Sequence, residues 1–138
     1  MFLFPKKTKF NNFYTRKKIN YSNRTILKST IKKFALISYS SGKVNNKQLE
    51  SFRKTSKRLL KSNGKHWIVS FPNLPVTKKT EGVRMGKGKG KLSFWVCNIP
   101  SGFIFAEFNG CSWPSIKKVV KQARTKLSVR VFLSVIRI

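Results

Sequence analysis

The chain has 138 residues, enough for one ordinary domain, and 40% of them are apolar, enough for a modest core. It carries 31 Lys and Arg against 3 Asp and Glu, a formal net charge of +28, which predicts a polyanionic partner: nucleic acid or an anionic lipid surface. No apolar run approaches the ~18 residues of a membrane span, and too few apolar residues precede Pro5 for a signal-peptide core. We therefore expect neither a membrane span nor a cleavable targeting segment.

Residues 1–33 form a basic segment that follows neither the helical nor the strand period and contains no acidic residue. Aromatic residues such as Phe13 and Tyr14 are interleaved with its cations, and a merely solubilising tail would not need them. We predict an extended arm that becomes ordered on RNA. Its residues predicted to bind RNA are Lys6, Lys7, Lys9, Arg16, Lys17 and Lys18.

The remaining residues, 34–138, predict a single α+β domain. The predicted elements are a strand over 34–40, a helix from Asn45 or Asn46 to about Asn63, a strand over 66–71, a loop from Pro72 to about Lys91, strands over 92–97 and 103–108, a helix from Ser112, and a strand over 129–136. Apolar residues at steps of three and four define both helices, and the turn Pro100-Ser101-Gly102 predicts a hairpin. We expect two helices packed on one mostly antiparallel, mixed sheet.

The most informative segment is the long basic loop PVTKKTEGVRMGKGKGK, residues 75–91. Glycine lets the backbone approach a neighbour closely and adopt positive φ, so that N–H groups can reach phosphate oxygens beside the Lys ammonium groups. The spacing matches neither a P-loop nor a dinucleotide fingerprint. We predict that the loop enters a narrow space between RNA helices; a solvated loop without function is the alternative.

No catalytic residue, metal ligand set or cofactor is expected. His66 is the only histidine, cannot form a metal cluster alone, and should pack in the domain or contact RNA. Glu50, Glu81 and Glu107 are the only carboxylates and lie on different predicted elements, which makes an acid–base pair improbable. Glu50, early in the first helix, suits the helix dipole.

The tryptophans and cysteines predict packing. Trp67, Trp95 and Trp113 lie in or beside predicted core elements, where core packing is favoured over base stacking. Cys97 and Cys111 match no zinc or redox spacing and should be small, partly buried apolar residues.

A family resemblance adds to this interpretation. The segments WIVSFPNLPVTKKTEGVRMGKGKG (67–90) and LSFWVCNIPSGFIFAEFNG (92–110), with PKKTKF (5–10) and more weakly GKVNNKQLESFRK (42–54), resemble the uL16 family of large-subunit ribosomal proteins, called L10e in archaea and eukaryotes. The stretch VRMGKGKG is the most specific part. The resemblance implies a structural, non-enzymatic protein that binds large-subunit rRNA near the peptidyl transferase centre, helps to organise the aminoacyl-tRNA site, joins the subunit late in assembly and contacts neighbouring ribosomal proteins. The residues that it implies for rRNA and tRNA binding are Lys78, Lys79, Arg84, Met85, Gly86, Lys87, Gly88, Lys89, Gly90 and Lys91.

Departures from the family pattern bear on the compartment. The segment over 11–33 lacks the Gly/Arg-rich sequence usual in the family. The family's FG-x-x-GL segment is reduced to FAL at 34–36, and PNLP replaces an Asp-containing turn at 72–75. Asp is absent, and Phe, Lys, Asn, Ile and Ser are abundant, which suggests an AT-rich coding genome. We expect a mitochondrial ribosome and an organelle-encoded chain; a plastid or the bacterial cytoplasm is the alternative.

Two other functions would also explain the charge. A nucleoid-type DNA-binding protein is one, but it leaves the Gly-Lys loop of an ordered domain unexplained. A cationic membrane-active protein is the other, but it would need a helix with a broad apolar face exposed to lipid. Both helices here are expected to pack on the core.

Overall fold

The computed structural model of the chain describes residues 3–6, 34–61, 64–86 and 88–135. Most of the predicted arm, and Lys87 in the loop, lie outside this part. The elements are β1 (Phe34–Ser38), β2 (Gly42–Asn45), α1 (Asn46–Leu60), β3 (Lys65–Ile68), β4 (Leu74–Lys78), β5 (Lys91–Ile99), β6 (Ile104–Asn109), α2 (Trp113–Lys126) and β7 (Val131–Val135).

The strands form two sheets, which confirms the α+β class but divides the expected single sheet. One sheet has the order β3-β6-β1-β7 and the other the order β2-β5-β4. Each pairing among these described strands is antiparallel, so the expected mixed character is wrong. Since β5 is bonded on one side to β2 and on the other to β4, neither of its edges is left for the first sheet.

The hairpin predicted around Pro100-Ser101-Gly102 is wrong, although its turn is present. Gly102 adopts φ 80°, but β5 and β6 are not neighbours in either sheet. The end of β1 holds the turn instead: the Ser38 hydroxyl donates to the Pro100 carbonyl at 2.6 Å, and the Gly102 N–H donates to the Ser38 carbonyl at 2.8 Å. The chain therefore crosses at this turn from one sheet to the other.

Two short strands were not predicted, and both belong to the smaller sheet. The strand β2 is only four residues long. The strand β4 contains Pro75, which pairs with Trp95 of β5. Because β4 lies at the edge of its sheet, it is a strand in which proline is tolerated. The loop predicted from Pro72 to Lys91 is therefore shorter and spans residues 79–90.

The predicted cap of the first helix is confirmed. The Asn45 side chain accepts from the Lys47 N–H at 3.2 Å, and the Gln48 side chain accepts from the Asn45 N–H at 2.9 Å, a reciprocal capping box. The helix ends at Leu60, before the predicted stop, and Lys61 follows it with φ 52°. Ser112 is the N-cap residue of α2 as predicted, but its side chain makes no capping hydrogen bond.

One core joins both helices to both sheets. The apolar faces predicted for the helices are buried in it, and the Phe52 ring meets the Phe105 ring edge-on at 5.4 Å between centroids. Of the tryptophans, Trp95 is buried, but the core positions expected for Trp67 and Trp113 are wrong, since they are 39% and 45% exposed. Trp67 lies on the edge strand β3, and Trp113 is the first residue of α2. Neither α1 nor α2 is long and apolar enough to cross a membrane.

Candidate nucleic-acid interface

The predicted binding loop is the tip of a hairpin formed by β4 and β5. The last pair of the ladder joins Lys78 to Lys91, and the pair before it joins Thr77 to Leu92. The two cations are therefore opposite each other where the loop leaves the sheet. An element whose base is a hydrogen-bonded ladder can hold a polar loop away from the core in a defined direction.

Glycine serves two different purposes in this loop. Gly82, Gly86 and Gly88 have φ of 84°, 99° and 80°, and a Cβ at any of the three would meet no other atom within 4 Å. They permit a left-handed backbone in open space. A Cβ at Gly90 would instead lie 2.5 Å from both the carbonyl carbon and the carbonyl oxygen of Lys78. Gly90 therefore allows the two chains to approach closely at the base of the loop.

Two polar contacts of the described loop residues involve lysine side chains at the start of the loop. The Lys79 ammonium donates to the Gly86 carbonyl, which ties the start of the loop to its far side. The Lys78 ammonium lies 3.4 Å from Glu81, and both side chains are largely exposed. An ion pair so exposed contributes little to stability, so it can be exchanged for a phosphate contact at low cost.

The described loop residues present an unusual surface to solvent. Positions 81–86, 88 and 89 are all exposed. Among them Val83 is 56% exposed and Met85 is 99% exposed. The apolar side chains on either side of Arg84 gain nothing from water, and such a mixture of cations, glycine and apolar groups fits a folded RNA surface that offers both phosphates and sugar faces.

The structure brings together the loop residues predicted from the sequence, apart from Lys87, which lies outside the described residues. The N-terminal arm is different. Lys6 is described and exposed, whereas the other predicted arm residues, Lys7, Lys9, Arg16, Lys17 and Lys18, lie outside the described part. The predicted role of the arm thus stays a prediction.

His66 has a packing role in the domain. His66 is half-buried and its ring stacks on Phe108, with 6.4 Å between centroids. Burial, with Arg53 and Lys57 nearby, holds the pKa of His66 below its usual value, so the imidazole is neutral near pH 7. Among the described residues no group of three His, Cys, Asp or Glu side chains is placed to hold a metal ion.

Glu50 has a different role from the one expected. It does not lie in the first turn of α1, so the predicted dipole contribution is wrong. Its carboxylate is almost fully buried and accepts from Arg53 Nη2 at 2.7 Å and Arg53 Nε at 3.0 Å. This hydrogen-bonded guanidinium holds the pKa of Glu50 below its usual value, against the opposing effect of burial.

A second aromatic and basic surface was absent from the sequence predictions. It lies where β1 ends and β7 begins, and it includes Tyr39, which is 70% exposed, and Phe132, which is 40% exposed. The residues of β1 are almost all buried and those of β7 do not alternate regularly between buried and exposed, so the two-residue period of a strand could not have indicated which rings face solvent. Nor could it have indicated that the two rings share one cleft.

The fold and the loop define a class: a small, strongly basic α+β protein that exposes a cationic, glycine-rich loop to solvent, a combination typical of nucleic-acid-binding proteins. Comparison with known proteins narrows this class to one family. Residues 5–133 match the family model for ribosomal protein L16p/L10e. The chain therefore belongs to the ribosomal protein L16p/L10e family, whose members have a structural role in the ribosome.

Two bacterial relatives agree with this assignment. The large ribosomal subunit protein uL16 of Thioalkalivibrio sulfidiphilus (strain HL-EbGR7) is 38% identical over 130 residues, covering 91% of this chain and 91% of the relative. The large ribosomal subunit protein uL16 of Blochmanniella pennsylvanica (strain BPEN) is 38% identical over 133 residues, covering 96% of this chain and 98% of the relative. The family resemblance seen in the sequence is confirmed.

Proposed function

We propose that the chain is a structural constituent of the large ribosomal subunit, where it binds large-subunit rRNA near the peptidyl transferase centre and supports the aminoacyl-site tRNA. The loop over 79–90 is the part that approaches the tRNA, and neighbouring ribosomal proteins cover part of the remaining surface. The same contacts make the chain a late participant in assembly of the subunit. The names of the bacterial relatives support the subunit.

One observation carries the proposal: a glycine-rich cationic loop is held out at the end of a two-stranded ladder. Three glycines with positive φ leave the tip narrow, because no side chain extends from them. Narrowness matters since RNA helices pack closely, and only backbone and slender side chains can pass between them. The N–H groups of such a backbone can bind phosphate oxygens.

The charge of the loop supports the same partner. Between Lys78 and Lys91 the sequence contains six Lys and Arg and one carboxylate, Glu81. The described cations Arg84 and Lys89 lie on the exposed part of the loop. Phosphates near them would be neutralised with release of counterions, so this contact is favourable at low salt and weakens as salt rises.

The test removes charge from the loop without touching the core. In the double variant Arg84→Gln/Lys89→Gln we expect association with large subunits to fall about tenfold or more, and translation to fall with it. Lys118→Gln/Lys121→Gln is the matched control, because it removes the same charge from exposed positions of α2. Co-sedimentation on a gradient, a translation assay and melting by circular dichroism would be measured for each.

The proposal fails if the loop variant sediments and supports translation as well as the α2 variant does. It also fails if wild-type protein prefers duplex DNA to large-subunit rRNA at moderate salt, which is the behaviour of a nucleoid protein. Equal melting temperatures for both variants are expected, since neither changes a buried residue.

We further propose that the ribosome is mitochondrial. The absence of Asp and the abundance of Phe, Lys, Asn and Ile support an AT-rich organellar genome, although the two relatives are bacterial. Quantitative mass spectrometry of ribosomes purified from separated cell fractions would test it. Recovery of the chain in plastid or cytoplasmic ribosomes would contradict the mitochondrial assignment but not the ribosomal function.

A further inference from the structure

A cleft of about 460 Å³ opens at the edge of the larger sheet, apart from the glycine-rich loop. Its walls include Tyr39, Phe132, Arg124 and Arg130, and its floor includes Leu127 and Val129. No lining residue belongs to β4, β5 or the loop between them. A volume of this size lies in the range of roughly 300–1,000 Å³ that small-molecule sites occupy.

The pairing of β1 with β7 positions the two aromatic rings of this cleft. Ile37 pairs with Phe132 and Ser38 pairs with Val131, so Tyr39 comes next to Arg130 along the ladder. The Tyr39 N–H donates to the Arg130 carbonyl at 2.7 Å and fixes that step. Because β7 is the edge strand, the cleft is open at the side of the sheet.

The two arginines are held at the rim by main-chain contacts. Arg124 extends from the last turn of α2, and its Nε donates to the Val131 carbonyl at 3.3 Å. The Arg130 N–H donates to the Ser40 hydroxyl at 3.1 Å. One guanidinium N–H of Arg124 is thus used by the protein, which leaves other donors of that planar group for a ligand.

The floor is apolar and the rim is cationic. Leu127 and Val129 are 8% and 3% exposed, whereas the rings above them are exposed, and none of the described residues that line the cleft has a carboxylate side chain. A ligand suited to these walls has a flat apolar group and an anionic group attached to it. An unpaired nucleotide has both, since its base can stack on aromatic rings and its phosphate can bind arginine.

We propose that this Tyr39–Phe132 cleft binds an unpaired nucleotide of RNA, with the base against the rings and the phosphate at Arg124 and Arg130. This proposal rests on the proposed function, which supplies the RNA. It adds an RNA contact that the loop does not make. A duplex cannot use it, because a paired and stacked base has no free face to offer. The cleft therefore selects a bulged or looped-out nucleotide.

Fluorescence of a modified base would test the stacking. The full chain is titrated into a single-stranded RNA hexamer carrying one 2-aminopurine and, separately, into the same strand in a duplex. We expect quenching with the single strand and little with the duplex. Tyr39→Leu and Phe132→Leu keep the net charge and should each weaken the affinity for the single strand about tenfold, with loss of quenching.

Two controls make the result specific. Phe71→Leu removes another exposed ring, 51% exposed and outside the cleft, and should behave as wild type. The loop variant Arg84→Gln/Lys89→Gln should weaken binding of single strand and duplex alike but keep the quenching at saturation. Cleft variants that quench like wild type, or an equal loss in Phe71→Leu, would overturn the proposal.

Ultraviolet crosslinking of wild-type protein within purified large subunits avoids any folding defect of the variants. We expect nucleotide adducts on the peptides that contain Tyr39 or Phe132. Adducts confined to the loop would refute the cleft while leaving the ribosomal function intact. Failure of the wild-type chain to enter large subunits would instead refute the proposed function and remove the RNA on which the cleft depends.

Discussion

Replacing Gly90 by alanine should open the base of the binding loop. The added methyl would lie 2.5 Å from the Lys78 carbonyl carbon and oxygen, about 1 Å inside the normal contact distance of roughly 3.5 Å. These are backbone atoms, so no side-chain rotation relieves the clash. Overpacking of this kind costs about 1–3 kcal/mol, and the restricted unfolded chain offsets about 0.4–1 kcal/mol of it.

The expected net loss is about 1–2 kcal/mol, or roughly 4–8 °C of melting temperature for a domain of this size. Gly88→Ala is the matched control, because a Cβ there meets nothing within 4 Å. Its positive φ costs about 1 kcal/mol, which the same unfolded-state effect nearly cancels. Melting by circular dichroism and hydrogen exchange in β4 and β5 would be compared. Equal melting and equal exchange protection in the two variants would refute the steric argument.

Three further predictions concern charge and thiols. Glu50→Gln should cost about 1–2 kcal/mol near pH 7, less than a wholly buried pair because Arg53 is 37% exposed. Since the folded pKa of Glu50 is depressed, this stabilisation is present above its ordinary pKa of 4.5 and is lost as pH falls through the lower folded pKa. Urea unfolding of both proteins would be measured at several pH values. A difference in unfolding free energy that does not narrow in acid would contradict the pairing of Glu50 with Arg53. Burial raises the pKa of Cys97 to about 11 and also raises that of Cys111. Because Cys97 is buried and Cys111 only partly so, iodoacetamide at pH 8 should modify Cys111 first, and mass spectrometry showing the reverse order would contradict this difference in burial. For RNA, neutralising ~8 phosphates should lower log K by roughly 6–7 per decade of salt, and a flat titration would exclude phosphate contacts as the main source of affinity.

The smaller sheet shows what local sequence patterns cannot predict. The strand β5 was predicted from its apolar run, but its neighbours β2 and β4 were not, because one is four residues long and the other carries Pro75. A tight turn after β5 predicted the wrong partner. The Ser38 hydroxyl and carbonyl, 62 residues earlier in the chain, hold that turn, and no local pattern reports such a contact.

Side-chain exposure shows the same limit. The sequence predicts burial equally for Trp67, Trp95 and Trp113, yet only Trp95 is buried. Its strand is central in a three-stranded sheet, whereas Trp67 is on an edge strand and Trp113 begins a helix. Position within the assembled sheets, and not residue type, decides which ring is covered.

The sequence by itself determined the two helices, the N-terminal cap of α1 and the glycine-rich, cationic character of the loop, because helical period, capping and glycine conformation act over a few neighbouring residues. Composition alone predicted a polyanionic partner. The tertiary structure decided the pairing of the strands, the length of the loop and the cleft between Tyr39 and Phe132. Those features depend on contacts between residues distant in the chain, whose free energies are realised only when the whole domain has folded.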